Sequence, residues 1–505
     1  MPGGAANSTG FGHLSFFHNG LQSYYLDATP PQPLGPYEPQ PQQTLKKMIQ
    51  IDYNLGPRIP EGVQDSGIGI ANNTLISVGG FNNGSGPGGR EFHNDTYALD
   101  LSNPAATWQT LPAYPGQNVP TNVDGPGVSG LISSSTVVND ELYVWGGFNY
   151  TSPATYAEGY KLSKSSGSWQ WSAMPSLPDP RLSTGIVAVG DKIYAVGGAD
   201  YDLTQFYTQN NRNGTLPDFG AKTYMLDTNN PGAGWQEVAE MPGTPRWVHS
   251  TSVVGDKIYV IGGATGSNDD GLGNFATHTV VDNWVYDTTL DQWSRIRDLP
   301  VASGNFPGNV VVDDRFILLI GGYPYGIVEN PDGSVSPSYG TPTKVSATSL
   351  YADVWVYDTQ TNLFGTADLL PLNNNLPAAV YKDGVLHMIG GETEGATVLG
   401  EFFAHHPDLY LRGNVTVLVL DGDLDGDGFV GITDLNIILG NWNQNVPPGD
   451  PLADPSGDGF VGIADLNIVL GNWNAGTPPG SSTVPEPAGL VLMMLGAASL
   501  LRRHT

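Results

Sequence analysis

The chain has 505 residues, too many for one ordinary hydrophobic core, so two or three structural units are expected. Its formal net charge of −29 argues against nucleic-acid binding, because an acidic surface repels phosphate. The absence of cysteine excludes disulfides, thiolate metal sites and cysteine nucleophiles. The high numbers of glycine (67) and proline (40) predict many turns and therefore many short strands.

Residues 1–43 are polar and rich in glycine and proline, which predicts an irregular or disordered segment. No basic segment followed by an apolar run opens the chain. Because the C-terminal pattern described below indicates export, we expect the translated protein to start upstream of Met1. The alternative is export by a non-standard route.

A repeat begins after this segment. Each copy has an apolar run, a short polar turn, a second apolar run and then two glycines. Turn pairs such as Asn-Asn, Asp-Asp and Asp-Gly between β-branched runs predict tight hairpins. The glycine pairs are Gly79-Gly80, Gly146-Gly147, Gly197-Gly198, Gly262-Gly263, Gly321-Gly322 and Gly390-Gly391.

Large aromatic residues follow the first five glycine pairs at related spacings. The tyrosines are Tyr97, Tyr160, Tyr224, Tyr286 and Tyr357. The second aromatics are Trp108, Trp171, Trp235, Trp293 and Phe364. Each unit therefore reads as a four-stranded antiparallel sheet, and such sheets stack radially into a β-propeller with the aromatics between them.

The glycine pair, the following tyrosine and the spaced tryptophan resemble the Kelch repeat, over about residues 44–415. The resemblance implies an all-β, six-bladed propeller. The sixth copy lacks a tryptophan strand, and Leu45 to Tyr53 could supply its outer strand and close the ring.

In such a propeller the loops between the second and third strands share one face, and here they are long and variable. Residues near that face or near the starts of the inner strands are candidate ligand-binding groups: two cations for an acidic group, a tryptophan for a sugar ring, an amide, and two carboxylates for acid–base work. They are Arg181, Arg246, Trp247, Asn305, Asp200 and Glu392. The alternatives are that the arginines, and His249 beside them, are structural, and that the two acids are ordinary surface charges.

Two enzyme classes built on this fold can be weighed. The copper-radical galactose oxidases need a cysteine–tyrosine crosslink, so the absence of cysteine excludes their chemistry. The bacterial sialic-acid epimerase (mutarotase) is a six-bladed Kelch protein, and a pair of arginines suits its acidic sugar. No other catalytic motif stands out, and His405-His406 has no partner motif in the sequence.

After Val419 an acidic motif occurs twice, as DLDGDGFVGITD and DPSGDGFVGIAD. Alternating oxygen side chains around a glycine are typical of calcium loops. The predicted ligands of two Ca²⁺ sites, the second weaker, are Asp423, Asp425, Asp427, Phe429 (carbonyl), Asp434, Asp454, Ser456, Asp458, Phe460 (carbonyl) and Asp465.

Each loop is followed by a predicted helix, Leu435 to Trp442 and Leu466 to Trp473, without a proper entering helix. Residues 421–474 therefore resemble a dockerin module of type I. The resemblance implies a cohesin-like partner, with recognition through Ile432-Thr433 and Ile463-Ala464. The alternative is a calcium-stabilised spacer without a partner.

The tail begins with a linker at residues 475–483. Residues 484–505 contain Val-Pro-Glu-Pro, an apolar run at 488–501 and two arginines. As a helix the run is about 21 Å long, short of the roughly 30 Å hydrocarbon core. The order of these parts resembles the PEP-CTERM sorting motif, which implies processing by an exosortase and a transient or stable membrane anchor; a plain tail anchor is the alternative.

The sequence thus favours an exported or surface-associated bacterial binding protein. Its propeller would engage a carbohydrate or a protein, and the dockerin-like module would tether it. The alternatives are a carbohydrate-active enzyme, such as a sialic-acid epimerase or a component of polysaccharide degradation, and a structural matrix protein.

Overall fold

The computed structural model describes residues 45–82, 91–116, 127–149, 155–199, 221–243, 245–267, 276–300, 303–322, 327–329, 335–337, 351–425, 428–446, 449–456 and 458–476. The chain divides into two compact units between Val417 and Leu418.

The first unit is a ring of six four-stranded antiparallel sheets, which confirms the predicted six-bladed propeller. From the inner strand outward, the blades are Gly67–Ala71, Thr74–Val78, Thr96–Asp100 and Gln109–Leu111 (blade one); Ser135–Val138, Glu141–Trp145, Gly159–Ser165 and Ser168–Met174 (blade two); Gly185–Val189, Lys192–Val196, Thr223–Asp227 and Gln236–Val238 (blade three); Ser250–Val254, Lys257–Ile261, Asn283–Asp287 and Gln292–Ile296 (blade four); Val311–Val312, Phe316–Ile320, Val354–Asp358 and Leu363–Thr366 (blade five); and Ala378–Lys382, Val385–Ile389, Tyr410–Val417 and Ile49–Leu55 (blade six).

Short hairpins lie between the second and third strands of four blades. They pair Phe81–Asn82 with Glu91–Phe92, Ala264–Ser267 with Ala276–Thr279, Ile327–Glu329 with Val335–Pro337, and Ala396–Val398 with Glu401–Phe403. These segments share one face of the ring, which we call the loop face.

The turns between the first and second strands have the predicted chemistry. Asn72 and Asn73 in blade one, and Asp313 and Asp314 in blade five, all have φ between 49° and 54°. Two consecutive left-handed residues match the right-handed twist of the flanking strands, and Asn and Asp tolerate that conformation better than most residues.

The ring is closed by the N-terminal strand. Ile49–Leu55 pairs antiparallel with Tyr410–Val417, so one end of the described propeller sequence completes a blade begun by the other. Ile49 and Ile51 are buried in the closed ring. The predicted strand supply is confirmed, with the strand beginning and ending later than Leu45 to Tyr53.

The aromatic series fills the interior as predicted. The tyrosines pack within apolar clusters at or between blades. Each tryptophan of the series donates its indole N–H to a carbonyl shortly after the outer strand of the preceding blade: Trp108 to Pro57, Trp171 to Pro112, Trp235 to Pro175 and Trp293 to Ala239, at 2.8–3.1 Å. The series thus buries apolar area while its polar atoms remain hydrogen-bonded.

The glycine pairs are required by close approach of backbones. Both glycines of every pair have positive φ, between 59° and 105°. A Cβ on Gly146 would overlap the carbonyl oxygen of Arg181, which belongs to the start of the next blade. Only glycine combines this conformation with so little space.

A ring of left-handed residues surrounds the centre of the loop face, one just before each inner strand. It consists of Asp65, Gly130, Ser183, Val248, Asn305 and Leu376, with φ from 46° to 76°. Backbone hydrogen bonds link successive positions, for example Ser183 N to Gly130 O at 2.7 Å and Asn305 N to Val248 O at 2.8 Å. The starts of the six inner strands are therefore held in register around the axis.

The second unit contains two loop–helix repeats. Helix α1 is Ile432–Gly440 and helix α2 is Ile463–Gly471, so both helices begin three residues earlier than predicted and end before their tryptophans. Their common core includes Val430, Ile438, Val461 and Val469. Within the described residues no helix is long and apolar enough to cross a bilayer. The predicted helix at 488–501 lies outside those residues.

Candidate functional site

The loop face is built from a repeated contact. In five blades, a residue shortly before the inner strand forms an antiparallel bridge with the residue that follows the glycine pair. The bridges are Gln64–Phe81, Ser129–Phe148, Leu182–Ala199, Trp247–Ala264 and Asn375–Glu392. The side chains at these positions therefore determine the chemistry around the centre of the face.

An apolar cluster lies on the part of this face that blades one to four form. Phe92, Phe148 and Leu182 form a buried cluster, against which Phe81 and Trp247 pack with part of their surface exposed. Phe81 stacks on Phe92 with ring centroids 5.6 Å apart. Partly exposed aromatic faces suit stacking against a sugar ring, and that role for Trp247 stays a prediction.

The part formed by blades five and six is polar. Asn305 Nδ2 donates to Asn375 Oδ1 at 2.9 Å, and Asn375 Nδ2 donates to Glu392 Oε2 at 3.0 Å. Glu392 Oε1 lies 3.6 Å from His405 Nε2. Asn305 and Asn375 are buried, whereas Glu392 and His405 reach solvent. A chain of polar contacts thus runs from the centre of the face to an accessible carboxylate and imidazole.

Blade one carries a second carboxylate–histidine pair. Glu61 Oε2 lies 3.1 Å from His93 Nδ1 and accepts a 3.3 Å hydrogen bond from the Tyr97 hydroxyl. Asp95 lies 3.9 Å from the same His93 nitrogen. His93 is only 5% exposed. Glu392 and His405 are therefore better placed than this pair to meet a ligand from solvent.

The two candidate arginines are in the interior, and both are fully buried. Arg181 donates to Gly197 O at 2.7 Å and to Lys222 O at 3.2 Å. Arg246 donates to Asp282 O at 2.6 Å and forms a buried ion pair with the Asp282 carboxylate. Each thus ties its glycine pair to the third strand, which favours the structural alternative over the expected role in holding an acidic ligand.

His249 is also structural in this arrangement. It is fully buried, and its Nδ1 lies 2.7 Å from Thr251 Oγ1. Burial, reinforced by Arg246, lowers the pKa of His249 to about 3, so the ring is neutral at physiological pH. The remaining propeller candidate, Asp200, lies outside the described residues.

The centre of the ring is narrow on the loop face. Ser133 Oγ of blade two donates to the carbonyls of His249 and Phe306, at 3.2 and 3.3 Å, across the axis. Beyond this constriction is a cavity of about 160 Å³, whose lining includes Ser135, Thr136 and Tyr381. The described centre of the loop face is therefore a constriction rather than a wide channel.

The acidic motifs of the second unit form two similar loops. The carboxylates of Asp423, Asp425 and Asp434 lie within 4.8 Å of one another, as do those of Asp454, Asp458 and Asp465. Asp427 lies outside the described residues. Gly428 and Gly459 have φ near 85°, which the sharp loop turn requires.

The last aspartate of each loop is the most constrained. Asp434 Oδ1 and Oδ2 accept 2.7 Å hydrogen bonds from the amides of Leu424 and Gly431. Asp465 makes the corresponding bonds to Ser456 and Gly462. Ser456 Oγ donates to Asp454 Oδ1 at 3.1 Å. These all-oxygen donor sets fit a hard cation such as Ca²⁺.

The model of the KLHDC2/KLHL20/DRC7 Kelch-repeats domain matches residues 132–391, about half of the chain. The chain belongs to this Kelch family. The match confirms the Kelch repeat that the glycine and aromatic spacings indicated.

Curated relatives of the Kelch propeller are named N-acetylneuraminate epimerase. One from Yersinia pestis is 29% identical over 194 residues, covering 35% of this chain and 48% of the relative, so the match spans about half the length of that protein. One from Haemophilus influenzae is 22% identical over 375 residues, covering 68% of this chain and 89% of the relative. The solved structure described as "Structure of YjhT" has 17% identity and a TM-score of 0.50, covering 67% of this chain and 93% of that one, and shows the fold alone.

Sequence reasoning found Glu392 but missed its partners. His405 and His406 were interpreted as an isolated pair, yet the structure brings both to Glu392, with side-chain ligand atoms within 4.8 Å. The hairpin Ala396–Val398 and Glu401–Phe403 folds them back onto the strand end. The alternating pattern and the central glycine of that hairpin were the clues available in the sequence.

Proposed function

We propose that the propeller is a sugar epimerase (mutarotase) that acts on a free acidic sugar of the N-acetylneuraminate class. The observation that carries the proposal is the alignment with the Haemophilus N-acetylneuraminate epimerase, which covers 89% of that protein. The comparisons therefore favour the epimerase, which was an alternative in the sequence analysis, over the binding and tethering role that the sequence pattern favoured.

The loop face offers the groups that exchange of anomers needs. A base takes the proton of the anomeric hydroxyl while an acid protonates the ring oxygen; the ring C–O bond breaks and a carbonyl forms. Rotation and reclosure return both protons and invert the anomeric centre. We assign the base to Glu392 and the acid to His405, because they lie 3.6 Å apart and both reach solvent.

The apolar half of the face complements this pair. Trp247 and Phe81 expose part of their rings on the same face, where a sugar could stack during the exchange. The buried Asn375 holds Glu392 Oε2 at 3.0 Å, which leaves Oε1 directed toward His405. Orientation of the base is a recognised source of rate enhancement.

The test is exchange NMR on the anomers of N-acetylneuraminic acid. We expect the wild-type chain to accelerate exchange and Glu392→Gln to lower kcat/KM about 100-fold, the lower end of general acid–base effects. Glu394→Gln, an exposed acid in the same loop, is the matched control and should keep the wild-type rate. If the wild-type chain leaves the uncatalysed rate unchanged, the proposal is wrong for this sugar class.

For the second unit we propose a dockerin-like, calcium-held docking function. Asp423, Asp425, Asp427, Asp434 and the Phe429 carbonyl would hold one ion, and the corresponding groups of the second loop would hold another. The supporting observation is the exposure of Ile432 (61%) and Ile463 (64%), equivalent residues that begin the two helices. Paired exposed apolar residues are typical of a docking surface.

Calorimetry tests this proposal with Ca²⁺ and with a cohesin domain. We expect Ca²⁺ binding by the full chain, and cohesin binding that depends on Ca²⁺ and is lost in the double variant Ile432→Asp/Ile463→Asp. Ca²⁺ binding without any cohesin binding would support the spacer alternative instead.

Export, surface placement and exosortase processing through residues 484–505 are proposals drawn from the sequence alone. Fractionation of cells that express the protein from its own gene, with and without an exosortase, tests them. A cytoplasmic product in both strains would contradict them.

A further inference from the structure

Glu392, His405 and His406 form a cluster that the proposed proton transfer does not fully use. Each offers a side-chain ligand atom, and these atoms lie within 4.8 Å of one another. The cluster contains two imidazoles and one carboxylate on the accessible loop face. We propose that it is a binding site for a divalent transition-metal ion of the Zn²⁺ type.

The chemistry of the donors selects the ion. Imidazole nitrogen suits Zn²⁺, Ni²⁺ and Co²⁺, whereas Ca²⁺ and Mg²⁺ take oxygen ligands. A tetrahedral Zn²⁺ ion holds its N and O ligands roughly 3.4 Å apart. The present separations come within reach by small rotations, because His405 is exposed and Glu392 and His406 are only partly buried.

The backbone that carries the three groups is anchored. Thr393 N donates to His405 O at 2.8 Å, and Thr393 Oγ1 donates to Ala404 O at 3.0 Å. Glu392 and Asn375 exchange backbone hydrogen bonds of 2.7 and 2.9 Å. The two segments that supply the ligands are thus fixed relative to each other before an ion arrives.

The carboxylate also has the outer support that is typical of metal ligands. Asn375 Nδ2 holds Glu392 Oε2, and Asn305 in turn holds Asn375 Oδ1. Oε1 is the oxygen that faces His405. Hydrogen-bonded carboxylates of this kind keep one oxygen oriented toward the ion.

The imidazole of His406 is suited to this role. It is partly buried, with its ring centroid 5.7 Å from that of Phe81 and 4.7 Å from that of His405. The blade-one cluster is a poorer candidate, because Glu61 and Asp95 both approach the single Nδ1 of His93.

The experiment is titration of the full chain with Zn²⁺ by calorimetry, with the calcium loops first saturated with Ca²⁺. We expect one Zn²⁺ bound with an affinity that falls more than about 100-fold in Glu392→Gln and in His405→Ala. Asn375→Ala, which removes only the outer support, should weaken binding about 10- to 100-fold. Glu394→Gln is the control and should bind as the wild type does.

Co²⁺ gives a second readout. The wild-type chain should develop the visible absorption of Co²⁺ with mixed nitrogen and oxygen ligands, and His406→Ala should lose it. Equal Zn²⁺ affinity in wild type, Glu392→Gln and His405→Ala would overturn the proposal, as would the absence of Zn²⁺ binding to a folded wild-type chain. Neither readout depends on catalysis, so the metal site is tested separately from the epimerase proposal. Because Zn²⁺ would occupy Glu392 and His405, the groups assigned to proton transfer, the Zn²⁺-bound form is expected to be inactive in anomer exchange.

Discussion

In the propeller, the largest fully buried side chains are mainly aromatic, among them Trp145, Tyr286 and Phe364. In the C-terminal unit the buried apolar core is small, and two fully buried side chains, Asp434 and Asp465, are carboxylates. The propeller is thus stabilised mainly by buried aromatic side chains and close packing at glycines. The loops of the second unit instead surround buried carboxylates. Apolar burial needs no ion, whereas clustered carboxylates repel one another until a cation joins them.

The largest effect expected in this comparison comes from a buried ion pair in the propeller interior. Arg246→Ala leaves Asp282 buried without its ion pair, and the loss of a partner from a buried pair costs about 3–5 kcal/mol. Urea unfolding followed by tryptophan fluorescence measures the change. Lys192→Ala, at an exposed position, is the control and should stay within about 0.5 kcal/mol; a similarly small loss for Arg246→Ala would contradict the hub role.

Acid should destabilise the propeller through His387. Burial, with Arg412 and Lys382 nearby, lowers the pKa of His387 to about 4, below its unfolded value near 6.5. The unfolded chain therefore binds the proton first, and about 3 kcal/mol of stability is lost as the pH falls from 6.5 to 4.

The measurement is the pH dependence of unfolding in wild type and His387→Gln. The difference between them isolates this histidine from Asp65 and Asp298, whose burial raises their pKa to about 6 and gives the opposite slope. Parallel curves for the two proteins would contradict the assignment.

Calcium should act on the second unit alone. At a free Ca²⁺ concentration 100 times Kd, binding stabilises a folded site by about 2.7 kcal/mol. Heating with Ca²⁺ or with chelator, monitored by hydrogen exchange in Ile432–Gly440 and in propeller strands, checks this. Asp434→Asn should abolish the Ca²⁺-dependent protection from exchange at the first loop. Equal Ca²⁺-dependent protection in the propeller strands would contradict the expected difference between the two units.

The smallest effect is expected from a surface ion pair beside the closing strand. Lys47 and Asp368 form a 2.7 Å ion pair, but both side chains are more than a third exposed. Such pairs contribute about 0–1 kcal/mol, so Lys47→Ala should change unfolding only slightly. Ile51→Ala, in the closing strand that follows Lys47, should cost about 2–5 kcal/mol, because Ile51 is buried. Equal losses would mean that surface charge rather than apolar burial closes the ring.

The sequence predicted the features that depend on local pattern. Glycine pairs, turn residues and spaced aromatics recur, so the blades could be recognised and even the displaced strand at Ile49–Leu55 could be anticipated. The ring of left-handed residues on the loop face could not be predicted from the sequence, because its positions hold chemically unlike residues such as Val248 and Asp65. What they share is a backbone conformation imposed by neighbouring blades.

The candidate site residues show the same difference between what local pattern reveals and what depends on long-range contacts. Arg181 and Arg246 carry the charge that an acidic ligand needs, but only the fold shows that backbone carbonyls already occupy them. Glu392 was recognisable from its place after a glycine pair, whereas its approach to His405 and His406 depends on a hairpin that closes between them. Burial and long-range contacts decide these roles, and the local spacing of residues in the sequence does not reveal either of them.

The most direct test of the account measures anomer exchange of N-acetylneuraminic acid by the full chain, in Ca²⁺ and after chelation. The reaction is proposed for the loop face of the propeller, whose fold needs no ion. We therefore expect accelerated anomer exchange at similar rates with Ca²⁺ and after chelation. Exchange at the uncatalysed rate in both, or exchange that disappears on chelation, would contradict it.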